Sequence, residues 1–171
     1  MLKMQRLGHV VIKVADLARS CAFYTEVLGM QVMNDSSGAG LLFLANGGRD
    51  HHELALLEVG AQTERPAAGM KGLAHIAFRL ESRAELEAAY REFKERGIPI
   101  SFTYRHGMTD SVYFFDPDGH ELEVYCDNPE ETFRDMPNSY LGMEKLEFAA
   151  EDAGLAHKVR EYGIAPVEPD A

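Results

Sequence analysis

Two histidines stand at matching points of two similar heptads. Residues 8–14 read Gly8-His9-Val10-Val11-Ile12-Lys13-Val14, and residues 74–80 read Ala74-His75-Ile76-Ala77-Phe78-Arg79-Leu80. Side chains alternate across a strand with a period of two. Val10, Ile12 and Val14 therefore make an apolar face fit to lie under a helix, and His9 points the other way with Val11 and Lys13. The same parity sets His75 with Ala77 and Arg79, opposite Ile76, Phe78 and Leu80. Along 120–126, Leu122, Val124 and Cys126 oppose Glu121, Glu123 and Tyr125. In a sheet curled by a twofold repeat, the face away from the helices is concave, so His9, His75 and Glu123 are candidates to converge there. Two imidazoles and one carboxylate are the facial ligand set that leaves positions open on Fe(II) for a substrate and O2. Histidines satisfied by ordinary hydrogen bonds at a strand surface account for the same pattern, and the spacing leaves both readings open.

The elements that must position these residues also repeat. After the first heptad, Asp16 can cap a helix whose Leu17, Cys21, Tyr24 and Leu28 share a face and which Gly29 can end. After the second, Ser82-Arg83-Ala84-Glu85 is a capping box, Leu86, Tyr90 and Phe93 share a face, and Gly97 is the stop. Short apolar segments follow each helix. In the first half they are 30–34, 41–45 and 52–59, with Asn46-Gly47-Gly48 as a turn; in the second they are 98–103, 111–115 and 120–126, with Asp116-Pro117-Asp118-Gly119 as a turn. The chain thus reads β-α-β-β-β twice, over about 8–59 and 74–127, with 63–72 as a linker. The expected class is α+β: two βαβββ modules forming an open, curved, mixed β-sheet barrel with the helices outside. Residues 127–171 carry 11 acidic and 4 basic side chains. This acidic extension is expected to be partly helical over 144–162, as a docked flap, an oligomer contact or a solvated tail.

Composition narrows the function. The 171 residues are 46% hydrophobic and 26% charged, as in a soluble globular protein, and the net charge of −11 is the wrong sign for a general binder of nucleic acid or anionic membrane. No apolar run approaches the roughly 18 residues of a membrane-crossing helix, and the opening residues lack a signal-peptide layout. Cys21 and Cys126 make neither a disulfide framework nor a CxxC site. A cytoplasmic location is the expectation.

The paired repeat, with Gly8-His9, Ala74-His75 and Asp116-Pro117-Asp118-Gly119-His120-Glu121-Leu122-Glu123, resembles the vicinal oxygen chelate superfamily of glyoxalase I, resistance proteins, epimerases and type I extradiol dioxygenases. That resemblance covers about residues 7–127 and implies His9, His75 and Glu123 as metal ligands. A narrower resemblance points to the extradiol enzymes, such as catechol 2,3-dioxygenase. In the stretch Tyr104–Pro117 and beyond, His106, Val112, Tyr113, Asp116, Pro117, Gly119 and Glu123 fit their signature, whereas Tyr104 departs from its usual small, polar or aliphatic residue. His52-Glu53-Leu54-Ala55-Leu56 resembles the strand whose histidine is an acid–base group. The resemblance implies Fe(II), with Mn(II) as the alternative, acting on a small aromatic diol and O2. His52 would handle the proton, because imidazole titrates near working pH. His106 and Tyr113 would donate hydrogen bonds to substrate or oxygen atoms. By analogy of fold, a homodimer or larger homo-oligomer is expected.

Two rivals remain. A one-residue change of register would place Glu53 on the metal and His52 outside, as in glyoxalase I-like lyases, isomerases or epimerases with four ligands. A metal-free small-molecule-binding resistance protein would share the fold without needing the ligand set. His51 is expected on the opposite face from His52, as a surface residue or a turn end. His120 and His157 read as solvated, Met70 and Met108 as core filling or substrate contacts, and Arg105 and Lys13 as surface cations or anchors for an anionic group.

Overall fold

The computed structural model describes residues 1–47, 50–64, 70–136 and 144–148. The chain divides into two compact units, Met1–Arg65 with Asp116–Asp118, and Pro66–Phe115 with Gly119–Ala171.

The first unit contains β1 (Val10–Val14), α1 (Leu17–Glu26), β2 (Gln31–Ser36), β3 (Leu41–Ala45) and β4 (Leu54–Glu58). Its sheet has the order β1-β4-β3-β2. β1 and β4 are parallel, with Val10 opposite Leu54, and the other pairs are antiparallel. Asp16 caps α1 as expected, its side chain accepting the Arg19 N–H at 2.7 Å. Helix α1 packs on β3 and β4, covering Ile12, Val14, Leu44 and Leu56, all nearly or fully buried. Gly29 has φ +66°, the left-handed conformation that ends a helix cheaply only at glycine.

The turn Asp116–Asp118 belongs to this unit through α1. Asp118 accepts from the Ala15 N–H at 3.2 Å and the Ser20 hydroxyl at 3.0 Å, and pairs with Arg19. The buried Tyr24 hydroxyl donates to Asp116 at 3.0 Å. Burial, and then the Asp116 carboxylate, push the Tyr24 phenol far up, so it stays a donor. Residues that read as a turn are therefore also a polar anchor.

The second unit contains β5 (His75–Arg79), α2 (Arg83–Glu95), β6 (Ile100–Arg105), β7 (Thr109–Phe115), β8 (Glu121–Asp127) and β9 (Glu144–Lys145), in the order β5-β8-β7-β6-β9. β5 and β8 are parallel, with Ile76 opposite Leu122, repeating the β1–β4 register. Ser82 caps α2. Leu86, Tyr90 and Phe93 are buried against Val112, Phe114, Leu122 and Val124. Each βαβββ module thus builds its own open, mixed sheet with one helix on one face, which is the expected α+β class.

The extension differs from expectation at its start. Residues 144–145, where the sequence pattern predicts a helix, form a strand on the edge of β6. The Leu146 N–H donates to the Thr103 carbonyl at 3.1 Å, and the Thr103 hydroxyl donates to the Leu146 carbonyl at 2.6 Å. Unpaired backbone groups on an edge strand offered more than an isolated helical turn could. The remainder of the expected helix, from 149, lies outside the described residues, as do Gly48 of the first turn and 65–69 of the linker.

Candidate functional site

In the second unit, His75 opens β5 and Glu123 lies on β8, both on the face away from α2. The imidazole Nε2 and the carboxylate Oε2 are 3.1 Å apart. The hydrogen bond to Glu123 raises the His75 pKa against the lowering effect of burial. Burial alone would raise Glu123, but hydrogen bonds led by the one from His75 outweigh it and hold the carboxyl below its ordinary value. The pair has the chemistry of two metal ligands. Bonds of about 2.1 Å at right angles would place cis donor atoms about 3 Å apart, so these two atoms fit a divalent ion such as Fe(II) or Mn(II).

Tyr113 is the cross-strand partner of Glu123, and its ring meets the His75 ring edge-on at 5.4 Å. Burial and the neighbouring Glu123 carboxylate push the phenol well up, keeping it protonated. His106 stands at the β6–β7 turn, which Gly107 makes with φ +72°. Its Nε2 is 3.3 Å from the Tyr113 hydroxyl. Phe102 lies 4.2 Å from the Tyr113 ring and 4.8 Å from Tyr104, whose ring is 5.7 Å from His106. Four of the expected site residues, His75, Glu123, Tyr113 and His106, therefore share one face with an aromatic wall. A bulge between Ile100 and Phe102 turns Ser101 to that face as well, and its side chain hydrogen-bonds Glu121. Glu121 is nevertheless raised, because burial dominates.

The first unit supplies His9 and His52. Their rings lie 4.4 Å apart, and Phe43 meets His52 edge-on at 5.0 Å. Burial, and then the neighbouring histidines, lower the His52 pKa. β4 begins only at Leu54, so strand alternation does not govern His51 and His52. His51 is correspondingly not on the opposite side. Its Nδ1 faces the Nδ1 of His52 at 2.6 Å. Glu53 is committed elsewhere: its Oε2 accepts the Asn46 N–H at 2.7 Å, bracing the β3–β4 connection.

The remaining candidates are less central. Arg105 is engaged by Asp110, with its Nε 2.9 Å from Oδ1, and is unavailable as an anion anchor. Arg83 and Asn128 bind the same buried carboxylate. Sequence reasoning missed this network, though the polar Asp110 amid apolar β7 neighbours was a signal. Lys13 and Met70 are exposed, Met108 and His120 intermediate, and His157 lies outside the described residues. Among the described residues no group of three His, Cys, Asp or Glu side chains stands arranged to hold a metal ion. The structure brings together His75 with Glu123, and His9 with His52.

The shared register also reveals a longer repeat. Val10 opposite Leu54 and Ile76 opposite Leu122 make His52-Glu53-Leu54-Ala55-Leu56 the counterpart of His120-Glu121-Leu122-Glu123-Val124. Ala55 thus occupies in the first module the place of Glu123 in the second.

The sequence profile of the glyoxalase/bleomycin resistance protein/dioxygenase superfamily matches residues 6–124. The chain belongs to this superfamily. Within it, the chain is 34% identical over 132 residues to biphenyl-2,3-diol 1,2-dioxygenase 3 of Rhodococcus globerulus, covering 74% of this chain and 67% of that protein. It is 33% identical to the catechol-2,3-dioxygenase of Bacillus subtilis strain 168, over 79% of this chain but only 46% of the relative. The chain therefore spans less than half the length of that second protein. The crystal structure of lactoylglutathione lyase from Agrobacterium tumefaciens matches with a TM-score of 0.57 at 26% identity, covering 72% of this chain and 94% of that one. Superfamily members related to this chain thus include extradiol dioxygenases and glyoxalase-type lyases.

Proposed function

We propose that the chain is a non-haem, metal-dependent extradiol dioxygenase that cleaves the ring of a catecholic substrate with O2. The observation that carries this reading is the division of labour at residues 52 and 53. Glu53 is bonded to the Asn46 N–H, whereas the His52 ring stands beside His9. That favours three metal ligands with a separate acid–base histidine over the four-ligand, glyoxalase-like alternative. The paired His106 and Tyr113 have work in the dioxygenase reading and none assigned in the other.

In this proposal His9, His75 and Glu123 hold Fe(II), or Mn(II), which accepts the same donors. When bound, the metal would supply Lewis-acid and one-electron redox chemistry. His52 takes a substrate hydroxyl proton at Nε2, because its Nδ1 is turned to His51, and returns it later in the turnover. Its lowered pKa keeps it an available base at neutral pH. Tyr113, held protonated, and His106 donate hydrogen bonds toward charge developing on oxygen. Phe102 and Tyr104 offer ring faces to an aromatic substrate.

The partners in this reading are a small aromatic diol and O2, within a homo-oligomer, in the cytoplasm. Among the described residues no helix is long and apolar enough to cross a membrane. The test is oxygen uptake by protein loaded anaerobically with Fe(II), with catechol and 3- and 4-substituted catechols in air-saturated buffer. Uptake matched by a yellow ring-fission product, and absent in His75→Ala, is the expected result. No uptake across the panel from verified metal-loaded protein would refute the proposal and direct attention to lyase and epimerase assays with Ni(II), Zn(II) or Co(II).

A further inference from the structure

One fully buried hydroxyl stands beside the candidate ligands without a partner. Ser111 lies on β7, two residues before Tyr113, and so turns to the same face, away from α2. It is opposite Tyr104 of β6 and Tyr125 of β8. Side chains directly opposite in an antiparallel pair share a face, with Cβ atoms about 5 Å apart. The two tyrosines therefore flank Ser111, which is wholly shielded from solvent. Among the described residues its Oγ has no hydrogen-bond partner of sound geometry.

A hydroxyl buried in this way loses its hydration with nothing in return, so it destabilises the fold that carries it. Such a group calls for a cause, and an ion or ligand taken up at the site is one. Two neighbours lie close enough to act on it. They are the Glu123 carboxylate, diagonally across the β7–β8 ladder, and the Tyr113 hydroxyl. Neither is aligned for a full hydrogen bond. The Tyr113 phenol stays protonated and already lies 3.3 Å from His106 Nε2. Glu123 is the better acceptor, because a hydrogen bond to an ionised group is roughly twice as strong as a neutral one. Its Oε2 faces His75, and a carboxylate that gives lone pairs to one ligand keeps others for a donor. Ligating carboxylates are commonly steadied by such donors.

We infer that Ser111 is a positioning residue, whose hydroxyl donates to the Glu123 carboxylate when Glu123 ligates a divalent ion and so fixes the carboxylate's orientation. This rests on Glu123 as a metal ligand, as in the dioxygenase reading, and not on the reaction itself. The same hydroxyl then weakens the metal-free fold and strengthens the metal-bound one.

The experiment compares Ser111→Ala and Ser111→Thr with wild type and with Glu123→Ala, all as the full chain. Mn(II) affinity is read from the electron paramagnetic resonance signal of the free ion, and Fe(II) affinity from anaerobic competition with a chelator. Melting temperatures are taken before and after metal loading. Ser111→Ala is expected to bind both ions about 10–100-fold more weakly, while its metal-free form melts no lower than wild type. Ser111→Thr, which keeps a hydroxyl, is expected to recover the affinity. Wild-type affinity in Ser111→Ala overturns the assignment of Ser111. So does a lower melting temperature of its metal-free form, the mark of a hydroxyl already satisfied by a buried water. Ser111→Thr that melts like wild type yet binds as weakly as Ser111→Ala overturns it too. In each of these cases, loss of metal from Glu123→Ala leaves the metal reading standing. Wild-type protein that takes up neither ion, or Glu123→Ala that binds both as wild type does, overturns Glu123 as a ligand, and the assignment of Ser111 with it.

Discussion

Replacing Glu53 separates the two chemistries that this superfamily makes available to the chain. Glu53→Ala removes a charged acceptor from the Asn46 N–H, a contact of 2.7 Å in a partly exposed connection. Hydrogen bonds to charged groups contribute about 1.5–3 kcal/mol, and exposure here brings that to about 1 kcal/mol. A loss of that size lowers the melting temperature of a protein this long by about 2–4 °C. Glu53→Gln keeps an acceptor oxygen and is expected to melt within about 1 °C of wild type. Neither change touches His9, His75 or Glu123. Bound Fe(II) after anaerobic loading and desalting, and affinity by competition with a chelator, should therefore match wild type in both variants. If Glu53 were a fourth ligand, both variants would lose at least the 10–100-fold in affinity that even an outer-shell partner is worth. Metal content that falls in Glu53→Gln while its melting temperature holds would refute the reasoning.

Further outcomes follow from the same structure. His75→Ala or Glu123→Ala should abolish metal retention, measured by elemental analysis; a wild-type metal content in either would remove that residue from the ligand set. His52→Ala should keep the metal and lower kcat by about 10²–10⁴-fold, and unchanged turnover would end its acid–base role. Tyr24→Phe strips a donor from the nearly buried Asp116 and should cost about 1–3 kcal/mol in urea unfolding. Asp110 is held below the ordinary aspartate value, as Arg105, Asn128 and Arg83 together outweigh the upward pull of burial. Asp118 is held down in the same sense by Arg19 and its hydrogen bonds against burial. A depressed folded-state pKa contributes stability that is full above the unfolded value of about 4 and is lost as pH falls through the lower folded value. Unfolding free energy should therefore fall on acidification below about pH 5, less steeply in Asp118→Asn, and a slope equal to that of wild type would contradict the anchor.

Much of this was legible because strands and helices impose fixed periods. Parity alone assigned Ile12 and Val14 to a buried face and His75 and Glu123 to the other, and the capping residues Asp16 and Ser82 marked both helix starts. What was not legible depends on where a period begins or breaks. His51 is exposed in a bend, as expected, but stands beside His52 and not opposite it, because alternation does not hold two residues before β4 starts. Ser101 reaches Glu121 only through a bulge, which reverses parity without leaving a composition signal. Pattern could not show that Glu53 accepts from the Asn46 N–H, in a turn seven residues earlier, while the His52 ring stands beside His9. Asp118 owes its anchoring role to contacts of long sequence separation with α1, and residues 144–145 owe their strand to pairing with β6.

The β9 strand also bears on the order in which the chain becomes safe from its own kind. Residues 100–115 are synthesised before 144–148, so the outer edge of β6 gains its β9 partner, and Thr103 its bond to Leu146, only after that later segment has been made. An open edge is a template for strand addition from another chain. In the first module the corresponding outer strand, β2, carries its own protection: a bulge between Val32 and Asn34 and the polar run Asn34-Asp35-Ser36. β6, with Phe102 and Tyr104 flanking Thr103, has no comparable run of polar side chains. Chains cut short before Glu144 should therefore aggregate during expression more than their lost buried surface would suggest, making these few residues a guardian of solubility.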